Sequence, residues 1–368
     1  MPRTALPTRS PAAWAARRRY AWAIVRAQFW AAWVISFVRP VVLGVYFNKP
    51  ESLALAAIKP EAVHIAISLA KQKRGWRERD GARFAELVAA LSNRRPIAVA
   101  VWGRRDIEEF GSDLVRPARE GYRVEAGLYS GRKHPKNKRT SLIACREGIY
   151  YDGHAPSDVE TALNALTPGR GQHPDALALI AKITGSGLTK YELEKDDTKL
   201  PEGAVLIIGQ CTGDQAIEAT PALTRTNPGL VDLVMEHIAD GAPVFFKPHP
   251  YNTTLEADAA EIAANHPNVI QLEGRFNATP MLAQKPIVAT ISSGVGLEAA
   301  IRGCEVHTFG TAFYSNWGFT KDHLPCPRRT NQLTAEDVLA SVVIDQSVYV
   351  DPTTGQIISA DAAFDLPL

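Results

Sequence analysis

The apolar run AVLII (Ala204–Ile208) breaks into GQCTGD (Gly209–Asp214), VFF (Val244–Phe246) breaks into KPHP (Lys247–Pro250), and IVATI (Ile287–Ile291) breaks into SSGVGLE (Ser292–Glu298). Short apolar runs bounded by turn signals and separated by helix-length segments predict βα units of a parallel sheet. Ligands in such sheets sit beyond the carboxyl ends of the strands. Asp214, Lys247, His249, Ser292 and Glu298 all fall at those ends.

Outward from these runs, Asn227-Pro228 reads as an N-cap with proline at the first helical position. Leu230, Val231, Val234 and Ile238 line one face of that helix, and Gly241 closes it. Strands near Val269–Leu272 and Glu305–Phe309, with helices through Glu256–Ala264, near Met281 and over Gly296–Arg302, complete a doubly wound sheet. Upstream, Glu51–Leu91 reads as two or three helices, followed by strands at Ile97–Val101, Tyr122–Glu125 and Ser141–Cys145 and a helix capped by Ser157. Thr167–Pro201, rich in Gly, Pro, Lys and Asp, reads as a helix and linker. The expected organisation is α/β, with two Rossmann-like lobes over residues 51–195 and 196–368 and an active site in the interlobe cleft.

A chain of 368 residues with 46% hydrophobic and 22% charged residues has material for two ordinary domains and excludes global disorder. The net charge of +2 hides an asymmetry: residues 1–50 hold seven Arg and one Lys with no acid, leaving 33 basic against 39 acidic residues elsewhere, a sum of −6. The basic character is local, which argues against a nucleic-acid partner. Cys145, Cys211, Cys304 and Cys326 form no C-x-x-C pair, so neither a disulfide framework nor a Cys-only zinc site is indicated, and a reducing cytoplasm is the expected setting.

Residues 1–50 read as a basic, Trp-rich amphipathic segment at a membrane surface. Arg17-Arg18-Arg19 leads into Trp22, Phe29, Trp30, Trp33 and Phe37, and the apolar character resumes over Val41–Phe47. Arg26, Gln28 and Arg39-Pro40 interrupt the roughly 20 apolar residues that a spanning helix needs, whereas clustered rings beside arginines suit a helix lying in the interface. A signal anchor, or a helix packed on the protein's own body or on a second subunit, are the alternatives.

Ser292-Ser293-Gly294-Val295-Gly296 stands between a strand and a helix, where free backbone N–H groups attract phosphate; a plain tight connection is the alternative. Glu298, one turn in, is placed either to reach a ribose or as an exposed first-turn acid favoured by the helix dipole. Pro248 and Pro250 fix the chain on either side of His249, so that Lys247 and His249 together suit a phosphate or carboxylate. Asp214 suits a helix N-cap as well as a catalytic carboxylate. The basic loop Lys133–Arg139 reads as solvated or as an anionic-acceptor contact. The aromatics of Phe313–Trp317 read as packing.

Taken in order and spacing, these motifs resemble one family. Gly209-Gln210 with Asp214, the Lys247–Pro250 run, Ser292-Ser293-Gly294 with Gly296, Glu298 and Ala299, Arg302-Gly303, Phe309-Gly310, Phe313-Tyr314 with Trp317-Gly318, Thr320 and Asp322, Arg328-Arg329, and Tyr349 with Asp351-Pro352 and Thr354-Gly355 resemble the bacterial capsule polysaccharide β-Kdo transferases. Trp102-Gly103, Glu125 with Gly127, and Gly148–Asp152 fit the family's first half.

The resemblance implies a single-module, GT-B-like retaining glycosyltransferase that takes Kdo from CMP-Kdo without a metal or other cofactor. It makes Asp214 the nucleophile and Glu125 the acid/base toward the acceptor hydroxyl, with His249 also in the catalytic set. Lys247 and His249 hold the CMP phosphate or the Kdo carboxylate, while Gln210, Ser292, Ser293, Gly294 and Glu298 bind the donor. The implied partners are a lipid or glycan acceptor and the inner face of the inner membrane. A transferase using another nucleotide donor and a non-catalytic assembly or export component are the competing functions.

Overall fold

The computed structural model describes residues 11–45, 59–67, 78–104, 106–107, 113–129, 141–186, 198–274, 276–351 and 354–365. The basic loop Lys133–Arg139 and residues 187–197 of the expected linker lie outside them. Two compact units share the chain. Residues 1–125, 134–146 and 349–357 form the first, and 126–133, 147–348 and 358–368 the second.

The first unit holds α1 (Pro11–Ile35), β1 (Val41–Val45), β2 (Val63–Ile67), α2 (Glu78–Arg94), β3 (Ile97–Trp102), β4 (Gly121–Ala126) and β5 (Ser141–Cys145). The second holds α3 (Asp158–Ala165), α4 (Pro174–Ser186), β6 (Val205–Ile208), α5 (Gln215–Glu218), α6 (Asn227–His237), β7 (Val244–Lys247), α7 (Leu255–Asn265), β8 (Ile270–Gln271), α8 (Thr279–Leu282), β9 (Ile287–Thr290), α9 (Val295–Ala300), β10 (Val306–Thr308), β11 (Lys321–Asp322) and α10 (Ala335–Ala340). Strands β12 (Ser347–Val350) and β13 (Ile357–Ile358) return to the first sheet before α11 (Ala360–Phe364).

The first sheet has seven strands in the order β13-β12-β5-β4-β3-β1-β2. Here two sequence expectations are corrected. Val41–Val45, expected at a membrane surface, is a fully buried central strand, paired in parallel with β2 through Val41 and Val63 and with β3 through Val41 and Ile97. Strand β2 in turn lies inside the stretch expected to be helical. Strand β1, buried on both faces, is continuously apolar and shows no period, so it reads like a lipid-facing segment, whereas β2, half-buried at the sheet edge, is too short to set a period against the helical pattern around it. Helix α1 packs one face on the body: Trp22, Val25, Phe29 and Ala32 are buried, Phe29 meets Phe84 edge-on at 5.4 Å, and Gln28 donates to the Ala66 carbonyl at 3.1 Å.

The division between units falls at residues 146 and 147 rather than near 195. Helix α3 belongs to the second unit because its buried Glu160 accepts from Arg328 Nε at 2.8 Å and Arg329 Nε at 3.0 Å. The backbone N–H groups of Gly169 and Gly171 donate to Asp337 at 3.0 and 2.8 Å. Long-range bonds of this kind leave no trace in local composition.

The second sheet runs β11-β10-β9-β6-β7-β8, with every neighbouring pair parallel. The first strand, β6, is central: the chain winds outward to β7 and β8 on one side, then to β9, β10 and β11 on the other. Leu230, Val231, Val234 and Ile262 of the covering helices pack in one buried cluster with Phe246 on β7 and Ile291 just past β9.

Leu43→Ala removes a large side chain buried in the middle of β1 and is expected to cost about 2–5 kcal/mol, as core truncations do. A urea-unfolding midpoint unchanged from the parent would contradict the placement of Val41–Val45 as core.

Candidate active site

Between β6 and β9 the winding of the second sheet reverses, and at such a switch point the loops diverge and leave a crevice beyond the strand ends. Gln210, two residues past β6, spans it. Its Oε1 accepts from Ser292 N at 2.7 Å and Thr290 Oγ1 at 3.3 Å, and its Nε2 donates to Ser292 Oγ at 3.3 Å. Gln210 is buried, so these bonds hold the β6 and β9 loops in register at low dielectric.

Asn227 ties the same loop to helix α6. Its Oδ1 accepts from Gln210 N at 2.9 Å and its Nδ2 donates to Gln210 O at 3.0 Å, an amide clasp on one backbone residue. Sequence had read Asn227 as the N-cap. Thr226 holds that position instead and accepts from Gly229 N at 3.2 Å, while the helix ends at His237, short of Gly241. Asn227 Nδ2 also donates to Asp258 Oδ2 at 2.6 Å, and that oxygen accepts from Asn252 Nδ2 at 2.8 Å and Thr254 Oγ1 at 3.1 Å. Asn252 follows the KPHP run, so Asp258 links the β6 and β7 loops. Neither Asn252 nor Asp258 is singled out by sequence, since an Asp in the first turn of a helix reads as an ordinary dipole partner.

At the end of β7, Lys247 is buried with its ammonium 4.8 Å from the centre of the Phe276 ring. Half-buried His249 receives the Tyr251 N–H on Nδ1 at 3.2 Å and has Cys211 Sγ 2.9 Å from the same nitrogen. Burial, then the charge of Asp214, pushes the Cys211 thiol up to about 11, so Cys211 stays S–H and donates. With Nδ1 accepting twice, the proton of the neutral ring sits on Nε2, which becomes the donor edge.

Asp214 stands at the N-cap position of α5 with extended backbone (φ −67°, ψ 143°), yet its side chain makes no capping bond and is exposed. Of its two expected roles, the cap is therefore vacant.

The Ser292–Gly296 turn differs from expectation. Four of its five amides are engaged: Ser292 N goes to Gln210, Ser293 N to Thr290 Oγ1 at 3.2 Å, Val295 N to Ser293 Oγ at 3.3 Å and Gly296 N to Ser293 O at 2.9 Å. Small polar residues bond their own turn readily, which sequence spacing alone does not reveal. Gly294 is exposed, and no atom lies within 4 Å of the Cβ it lacks, so a ligand has room there. Glu298 is buried rather than an exposed first-turn acid. Gly296 admits no side chain, since a Cβ would lie 2.0 Å from the Tyr314 hydroxyl, which donates to Ser293 O at 2.6 Å.

Glu125 lies half-buried on β4, in the first unit. Arg328 and Arg329 are engaged by Glu160, and Tyr314 and Trp317 are fully buried, so the aromatics pack. Among the described residues no group of three or more His, Cys, Asp or Glu could hold a metal ion.

Removing the Asp258 carboxylate strips the amides of Asn227 and Asn252 of a shared acceptor, and Asp258→Ala is expected to cost about 2–3 kcal/mol in urea unfolding. Cys211 is expected to alkylate slowly with iodoacetamide at pH 8, because a thiol near 11 is about a thousandth thiolate there, against roughly a quarter for an ordinary cysteine. Labelling at the rate of an unstructured peptide would show that the thiol is not the donor to His249.

The sequence profile of a family described as capsule polysaccharide biosynthesis protein matches residues 179–355. The lipopolysaccharide-processing protein LpsZ of Rhizobium meliloti is 30% identical over 264 residues, covering 68% of this chain and 59% of that protein. The capsule polysaccharide modification protein LipA of Neisseria meningitidis serogroup B is 28% identical over 278 residues, 72% of this chain and 38% of that protein. The chain thus spans about half the length of the curated relatives it matches. Among solved structures, the β-Kdo 2,7 transferase of Thermosulfurimonas dismutans KpsC superposes with a TM-score of 0.65 at 23% identity, covering 88% of this chain and 97% of that one. Its β-Kdo 2,4 transferase gives 0.64 at 23% identity over 89% and 98%. These superpositions establish a shared fold, and every switch-point residue named above lies within residues 179–355, the stretch that matches the capsule polysaccharide biosynthesis profile.

Proposed function

We propose that this protein is a retaining glycosyltransferase that moves Kdo from CMP-Kdo to a lipid or glycan acceptor in surface-polysaccharide synthesis. The observation that carries this reading is the assembly of Gln210, Asn227 and Ser292 at the switch point of a parallel sheet, with Lys247, His249 and exposed Asp214 on the loops they fix. The structural neighbours named as β-Kdo transferases and the capsule-family profile support the same reading.

The chemistry follows from the groups available. CMP-Kdo is already activated, so the protein has to position the sugar, supply a nucleophile and offset phosphate charge. The Asp214 carboxylate attacks the anomeric carbon, the bond from that carbon to the phosphate oxygen breaks, and CMP departs with the electron pair. Lys247 supplies positive charge and His249 Nε2–H a hydrogen bond to the phosphate or the Kdo carboxylate. Gln210, Ser292, Ser293 and Glu298 frame the donor, and Gly294 leaves room for it. The acceptor hydroxyl then attacks the same carbon, Glu125 takes its proton, and Asp214 is released; two inversions give retention. The scheme uses no metal. The protein works on the cytoplasmic face of the inner membrane, a placement supported by the surface described in the next subsection.

Intact-protein mass spectrometry after incubation with CMP-Kdo and no acceptor tests the reading. One Kdo residue is expected on the protein with matching CMP release, mapped to Asp214 and lost in Asp214→Ala. Glu125→Gln should still form the adduct while transfer to acceptor falls about 10²–10⁴-fold, the usual share of a general base. Turnover with CDP-glycerol or a UDP-sugar, and none with CMP-Kdo, would assign another donor.

A further inference from the structure

Helix α1 is apolar on two sides. Trp22, Val25, Phe29 and Ala32 face the body, but Ala23, Ala27, Trp30 and Val34 follow one another along the opposite side and are exposed. The turn after the helix extends the stripe with Phe37 and Val38, so that Trp30, Phe37 and Val38 are 69%, 63% and 84% exposed. A soluble surface normally scatters such residues singly.

Cations border this stripe. Arg26 and Arg39 are exposed on the same segment, and Arg95 lays its guanidinium 3.6 Å from the centre of the Phe37 ring while its Nε donates to Ser36 Oγ at 3.2 Å. No carboxylate occurs anywhere in residues 1–50, which carry eight basic residues. No helix among the described residues is long and apolar enough to cross a membrane.

We infer that the exposed stripe of Trp30, Val34, Phe37 and Val38, with Arg26, Arg39 and Arg95, docks in the interface of an anionic phospholipid bilayer. The rings and valines enter the boundary between headgroups and acyl chains, where Trp is at home, and the guanidinium groups meet lipid phosphates. A second copy of the chain fits less well. A two-fold interface uses the same patch on both copies, so a partner copy would bring to the arginines only the same acid-free segment. The bilayer supplies the missing opposite charge. This inference rests on the first unit alone and stands apart from the transferase reading.

Vesicle flotation of the full chain tests it. The protein is expected to float with phosphatidylcholine vesicles containing phosphatidylglycerol, and to do so weakly with phosphatidylcholine alone or at high salt. Trp30→Ser with Val38→Ser should abolish flotation while the thermal unfolding midpoint stays put, because both side chains are exposed. Arg26→Gln with Arg39→Gln should lower partitioning onto the anionic vesicles about thirtyfold, on the scale of two interfacial basic residues. Three results would overturn the inference: no flotation with anionic vesicles, flotation indifferent to the Trp30 and Val38 changes, or a concentration-dependent dimer lost in Trp30→Ser without vesicle binding.

Discussion

Asp258 Oδ2 is a single carboxylate oxygen that accepts three donors, and the geometry of the candidate site depends on it. Two of the donors, Asn227 and Asn252, belong to segments that follow β6 and β7, and Asn227 passes the constraint on to the backbone of Gln210. Gln210 then hands it to Ser292 and Thr290 on β9. A buried carboxylate without such partners would carry a desolvation cost of several kcal/mol. With them, the charge becomes a fixed point from which three strand-end loops are measured. A network of this kind is tolerated only when each member is satisfied, so it selects one arrangement of the loops over many nearly equal ones.

What the network leaves out is as telling as what it holds. Ser292 and Gln210 bond each other, and Ser293 bonds Thr290 and Val295 of its own turn, which makes the three a frame rather than a set of free ligands. At the frame's edge stand exposed Asp214, His249 with its tautomer set by Cys211 and Tyr251, and Lys247 against Phe276, the side chains to which the proposed reaction assigns the chemistry. A frame already fixed in the resting protein needs no reorganisation when a ligand arrives, which is what preorganisation means.

Legibility in the sequence followed the range of the interaction. The second sheet was readable, its two-residue edge strand Lys321–Asp322 apart, because each of its other strands announces itself within a few residues, through an apolar run and the polar or turn-forming residues that stop it. Asp214, Lys247 and His249 were readable for the same reason, since strand ends are known from the strands. Val41–Val45 was misread because a central parallel strand lacks the alternation that marks a half-buried one, and Val63–Ile67, a five-residue strand at the sheet edge, is too short to set a period of its own. Asn227 was taken for a cap because its neighbour Pro228 makes that local reading natural, whereas its real partners lie 17 and 31 residues away. The boundary near residue 147 was hidden likewise: Glu160 is paired with arginines more than 160 positions downstream.

Helix α1 shows how the same rule applies to a surface. Its sequence is apolar on two sides, which by pattern alone fits a helix packed between two surfaces as well as one at a membrane. Burial of Trp22, Val25, Phe29 and Ala32 accounts for one side only, and the sheet beneath α1 needs no more than that. Trp30 and Val38 therefore owe nothing to the fold. Large apolar side chains held in water by a stable helix raise the tendency to associate, so their presence points outward, to whatever the helix meets. The neighbouring arginines narrow that partner to something negatively charged, and the absence of any acid in the segment removes the internal counterions that would otherwise neutralise them. A surface both apolar and cationic matches the two layers of a bilayer interface, acyl chain and phosphate, at the depths where each side chain would lie.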